Sequence, residues 1–190
     1  MSASLANLAY RATEIGNNGA GIHMLVADND PQEHLLIAMA ADHCEVPLQF
    51  SFVTNGVELL LRLGMAPTVA DFPDVLLLDL EIDGLDGKQT LEELQAHPLM
   101  SQIPVVVCSS SPKLLDEVDC YPRGAVWFEA KPTTLTATTD FVKRVSGFAN
   151  TGSYKEPNPM VLSLLHADLV ADVEDRMLVD LPDDVTLSLP

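Results

Sequence analysis

Residues 73–87 read PDVLLLDLEIDGLDG. Residues 75–78 form a continuous apolar run, too short for a helix that stands alone and of the length of a strand buried on both faces. Asp79 closes that run, and an ionisable group directly after a buried strand is expensive unless its charge has a use there. Asp83-Gly84 and Asp86-Gly87 then supply turn chemistry before a helical pattern begins. In open α/β sheets, ligands and chemistry gather at the carboxyl ends of parallel strands, and this order of residues sets Asp79 at such an end.

Outward from this segment the same alternation repeats. HMLVA (23–27) is an apolar strand ending in Asp28-Asn29-Asp30, and after Pro31 a helical pattern covers 35–41. QFSFVT (49–54) is a strand stopped by Asn55-Gly56, with a helix over 57–63. A helix over 88–97 follows the Asp79 strand. IPVVVC (103–108) runs into Ser109, Ser110 and Ser111, and 113–120 is a short helix. AVWFEA (125–130) precedes Lys131-Pro132 and a helix over 134–148. Five strands alternating with five helices across short turns predict an α/β fold, a doubly wound five-stranded parallel sheet with helices on both faces. This domain spans 23–150, behind an N-terminal arm (1–22) and ahead of a C-terminal extension (151–190). In the extension Val161, Leu165, Leu169, Val173 and Met177 recur every fourth residue among acidic residues, the pattern of an amphipathic helix.

The composition narrows the function classes. A net charge of −18, with ten Lys and Arg scattered along the chain, argues against nucleic acid as a partner, because few cations are available to replace its counterions. No apolar run approaches a membrane span, and the opening MSASLANLAYRATEIG lacks the basic-then-apolar order of a signal peptide, so no membrane association is expected. Cys44, Cys108 and Cys120 are odd in number and in no metal or redox spacing, which predicts a reduced, cytoplasmic protein.

Polar residues fall at successive strand ends: Asp28-Asn29, Asp79, Ser109 and Lys131. A doubly wound sheet brings those ends to one edge, so carboxylates, a hydroxyl and an ammonium are expected in one cleft. Each residue has a plainer reading, since Asp after a strand is commonly a turn or cap and Lys before Pro a solvated loop cation. Their joint placement points further. Clustered carboxylates repel and call for a hard divalent cation, for which Mg²⁺ is the natural choice. A carboxylate beside Mg²⁺ can attack phosphorus to give an aspartyl phosphate, and the phosphoryl oxygens then need the metal, an ammonium and a hydroxyl donor.

On the motifs MLVADNDP, the Asn55-Gly56 turn, PDVLLLDLEIDGLDG, IPVVVCSSS and GAVWFEAKP, residues 23–148 resemble the receiver domain of bacterial two-component response regulators. The DLEIDGLDG loop and the Ser-rich segment are most similar to the single-domain subgroup that partners phytochrome-like histidine kinases. The resemblance implies a flavodoxin-like receiver fold in which Asp79 accepts a phosphoryl group from a phosphohistidine of a sensor kinase. It implies that Mg²⁺ is held by Asp28, Asn29, Asp79 and the Glu81 backbone carbonyl, and that Lys131 and Ser109 contact the phosphoryl group. Ser109 and Phe128 take the switch positions, and Glu81 and Ser111 those that tune phosphoryl lifetime. Asn29 departs from the family pattern, which has a second acidic residue there, and weaker Mg²⁺ binding is expected.

The expected function is therefore a stand-alone regulator rather than an enzyme, signalling through altered protein contacts, because too little chain follows Phe148 for an output domain. Homodimerisation through the extension or the face of the fourth and fifth strands is a further expectation. Two rivals stand beside it: a pseudo-receiver adaptor that is never phosphorylated, encouraged by Asn29, and a phosphohydrolase with an aspartyl nucleophile. The second carries a difficulty, since such enzymes place an Asp two residues after the nucleophile and this chain has Glu81.

Overall fold

The computed structural model describes residues 21–66, 68–110 and 112–151. The arm, the extension with the amphipathic helix expected in it, and Ser111 lie outside the described residues, apart from the junctions at 21–22 and 151. The elements run β1 (Ile22–Ala27), α1 (Pro31–Ala41), β2 (Leu48–Val53), α2 (Gly56–Gly64), β3 (Val75–Asp79), α3 (Gly87–Ala96), β4 (Val105–Ser109), α4 (Leu114–Cys120), β5 (Ala125–Ala130) and α5 (Leu135–Thr151). All strand pairs are parallel, in the order β2-β1-β3-β4-β5. The predicted α/β sheet is observed.

Side-chain alternation divides the core into two layers. Met24, Val26, Val75, Leu77, Val106 and Trp127 pack with α1 and α5, while Leu25, Ala27, Leu76, Leu78, Val107 and Phe128 pack with α2, α3 and α4. β3 lies between β1 and β4, and all five of its residues are buried, which is why its sequence is continuously apolar up to Asp79. The chain leaves β1 toward β2, then returns to β3 on the other side of β1. This reversal opens a crevice at the carboxyl ends of β1 and β3.

Local chemistry sets where the helices begin. α1 starts four residues earlier than the apolar pattern suggested, because Asp30 Oδ1 accepts from Gln32 N at 2.8 Å and Pro31 fits the first helical position. Asn55 Oδ1 accepts from Glu58 N at 2.8 Å to start α2, and Asp86 and Gln89 form a reciprocal capping box on α3. β4 starts two residues later than expected. Residues Met100–Gln102 form a 3₁₀ turn that takes the Ile103 N–H, and Pro104 contributes only its carbonyl, accepting from Leu76 N at 2.9 Å.

The loop after β3 is built around two glycines. Gly84 has φ +79°, a conformation that side chains disfavour. At Gly87 a Cβ would lie 2.5 Å from Leu80 Cα and 2.6 Å from the Asp79 carbonyl oxygen, so the α3 terminus can sit against the end of β3 only without one. Charges join α3 to α4: Lys88 Nζ meets Asp116 Oδ1 at 2.8 Å and Asp119 Oδ2 at 2.9 Å, and Arg123 pairs with Glu92 and Asp119.

Candidate functional site

Asp28 follows β1 at 4% exposure and Asp79 ends β3 at 3%. Each carboxylate commits one oxygen to its own loop. Asp28 Oδ1 accepts from Asp30 N at 2.9 Å, and Asp79 Oδ1 accepts from Glu81 N at 3.0 Å. The other oxygen of each faces the same cation, since Lys131 Nζ lies 2.7 Å from Asp28 Oδ2 and 2.7 Å from Asp79 Oδ2. Lys131 reaches them from the far side of β4. Its backbone N–H donates to the Ser109 carbonyl at 2.9 Å, which fixes the exit of β5 to the end of β4. Burial alone would lower the Lys131 ammonium, but the hydrogen bonds to Asp28 and Asp79 outweigh it and hold the group above its ordinary range. The lysine is therefore fully charged at neutral pH.

Ser109 is buried at the end of β4, one residue beyond the Cys108 that registers with Asp79. Phe128, in register with Val107 on β5, is buried on the α2–α4 face. Glu81 is exposed, and its backbone N–H is the group that meets Asp79. Asn29 is exposed as well. The fold thus brings Asp28, Asp79 and Lys131 into direct contact, with Ser109 at the neighbouring strand end, and leaves the Asn29 and Glu81 side chains at the rim.

Three groups near the cleft escape sequence reasoning. Glu33, in the first turn of α1, lines the cavity with Asp28, Asp79 and Lys131. Burial raises the pKa of its carboxyl; Lys131 opposes the rise, and Asp28, Asp30 and Asp79 reinforce it. The signal that could have found it, acid three residues after an Asp cap, reads as ordinary capping. His34 Nε2 donates to the Asp28 backbone carbonyl at 2.7 Å while its ring stacks on Phe52 with centroids 4.6 Å apart, which steadies the loop. Cys108 also borders the cavity, but burial pushes its thiol far up and makes it a poor nucleophile.

The cavity measures about 20 Å³, room for one water or one ion. Among the described residues no three His, Cys, Asp or Glu are placed to hold a metal by themselves. The donors nevertheless suit a hard cation, because Mg²⁺ is commonly held through one or two carboxylates and keeps several waters. The close approach of the Lys131 ammonium to both oxygens shows that this pair attracts positive charge.

A five-stranded parallel sheet with a buried Asp-Asp-Lys cluster at its carboxyl edge defines a class, and comparison with known proteins agrees. Residues 24–143 match the response regulator receiver domain, and the chain belongs to that family of two-component signalling proteins. Protein PilH of Pseudomonas aeruginosa is 30% identical over 123 residues, covering 63% of this chain and 95% of PilH. The DNA-binding transcriptional regulator NtrC of Escherichia coli is 32% identical over 91 residues, 47% of this chain but only 18% of NtrC. Among solved structures, the phosphorylated cyanobacterial phytochrome response regulator RcpA superposes with a TM-score of 0.62 at 26% identity, covering 71% of this chain and 98% of RcpA. The Mn²⁺-bound response regulator Rcp1 shares the fold at 19% identity, with a TM-score of 0.58, covering 72% of this chain and 99% of Rcp1. Among the described residues no helix is long and apolar enough to cross a membrane.

Proposed function

We propose that this chain is a phosphorylatable switch in which Asp79 takes a phosphoryl group from a phosphohistidine of a sensor kinase, of the phytochrome-like type, and signals through changed protein contacts. The observation that carries the reading is the shared ammonium: two buried carboxylates from different strands each lie 2.7 Å from Lys131 Nζ. In the transfer an Asp79 oxygen forms a bond to phosphorus as the phosphorus–nitrogen bond to the donor imidazole breaks, and the imidazole leaves with a proton from solvent. Asp28 and Asp79 hold Mg²⁺, with Asn29 and the Glu81 backbone carbonyl as further oxygens, and the bound ion supplies charge neutralisation to the phosphoryl oxygens. Lys131, already charged and inside the cleft, pairs with the phosphoryl group at little reorganisation cost.

Ser109 is the hydroxyl that follows the phosphoryl group, and Phe128 the aromatic that follows Ser109, which remodels the face of α4, β5 and α5. Glu81 at the rim, and Ser111, two positions along the sequence from Ser109, set access of water and hence phosphoryl lifetime. The domain boundaries at 23 and 150, and association of two copies through the acidic extension or the β4–β5 face, belong to the same proposal.

Intact-mass spectrometry after incubation with a small acyl phosphate tests it. One phosphoryl group is expected on the wild type with Mg²⁺, and none with a chelator or on Asp79→Asn. Asn29, exposed where a second acid would help hold the metal, favours one other reading, an adaptor that is never phosphorylated. Absence of uptake under all conditions would establish that reading instead.

A further inference from the structure

The proposed metal site has one charge fewer than its role calls for, and three nearby carboxylates are candidates to replace it. Asp30 is exposed, and its Oδ1 is engaged in capping α1 through Gln32 N at 2.8 Å. Glu81 is exposed and does not border the cavity. Glu33 does border it, together with Asp28, Asp79 and Lys131, whereas Asn29 does not.

The helix start explains how Glu33 comes to face the cleft. Asp30-Pro31-Gln32-Glu33 has the order of a capping box, in which the fourth residue would reach back to the backbone N–H of the first. Here the Asp30 N–H donates instead to Asp28 Oδ1 at 2.9 Å. With that donor taken, Glu33 borders the cavity from the first turn of α1, where the positive end of the helix favours an acid.

We propose that Glu33 is the third carboxylate of the cation site. It replaces the charge absent at Asn29 and acts on the cation through metal-bound water, since Asp28, Asp79 and Glu33 are not close enough to bind one ion together. Glu33 is thus a positioning residue, and the inference rests on the proposed metal site. Outer-shell partners of this kind orient ligands and bound water, and their loss costs metal affinity.

Titration of the full chain with Mn²⁺ alone, reading unbound ion by electron paramagnetic resonance, tests this without any phosphorylation step. Glu33→Gln is expected to weaken Mn²⁺ binding about tenfold. Asn29→Asp in the Glu33→Gln chain is expected to restore it. Glu45→Gln, which removes the same charge from an exposed turn beyond α1, is expected to leave it unchanged. Thermal melts in chelator establish that each variant is folded. Wild-type affinity in Glu33→Gln, equal weakening by Glu45→Gln, or failure of Asn29→Asp to restore binding each overturns the role of Glu33 while leaving the metal site standing. A wild type that binds no Mn²⁺ overturns both.

Discussion

Replacing Lys131 by alanine leaves Asp28 and Asp79 with side chains 6% and 3% exposed and no cation between them. Water is a poor substitute for the ammonium, because a neutral molecule does not offset two buried negative charges. Breaking a buried ion pair by removing one partner costs about 3–5 kcal/mol, and here one lysine serves two carboxylates. The expected loss for Lys131→Ala is about 3 kcal/mol, the low end of that range, because the orphaned pair can relax apart. The assay is urea unfolding of the full chain at neutral pH in chelator, comparing midpoints at unchanged slope. One further behaviour follows from the same geometry. The deficit shrinks in Mg²⁺ to the extent that the variant, freed of the competing ammonium, binds the ion more tightly than wild type, by about 1.4 kcal/mol for each tenfold in affinity. If Lys131→Ala unfolds at the wild-type midpoint, with no response to Mg²⁺ beyond that of wild type, the three groups do not form the coupled cluster described.

Three other outcomes are expected. His23 Nε2 and the Ser51 hydroxyl share a hydrogen bond at 2.9 Å, and Arg62 Nη2 donates to the same oxygen at 2.9 Å; burial first, then Arg62, lower the His23 pKa from 6.5, with Asp74 opposing. The unfolded chain then binds the proton first, so stability is full above about pH 6.5 and falls as the pH drops below it, and His23→Gln should flatten that slope in pH-dependent melts. Gly87→Ala sets a Cβ against the backbone of Leu80 and Asp79, and should cost about 1–3 kcal/mol in unfolding experiments and reduce phosphoryl uptake. Gly147→Ala, with nothing within 4 Å of the added methyl and one turn inside the C-terminal end of α5, should instead stabilise by up to about 1 kcal/mol in the same assay.

The strands were legible because burial on both faces leaves continuous apolar runs, and the residues closing them, Asp28, Asp79 and Ser109, lie where topology converges. Lys131 was legible for the same reason, one residue past β5. Helix starts were less so. The apolar pattern of α1 begins at Leu35, while the helix begins at Pro31, because an Asp side chain and a proline determine that end rather than burial. Glu33 was hidden by this same feature, since an acid at the third helical position is explained by capping until the competing hydrogen bond from Asp30 N to Asp28 is seen. His34 was beyond reach of any pattern, because its partner is a backbone carbonyl six residues back in a loop whose path only the fold defines.

If Asp79 is the acceptor, the site of the phosphoryl group can be read directly. Borohydride reduces an acyl phosphate to an alcohol, so treating the phosphorylated chain and mapping its peptides converts the modified aspartate to homoserine. Homoserine is expected at position 79 and nowhere else. Homoserine at position 28, or at no aspartate after demonstrated uptake of phosphate, would contradict it.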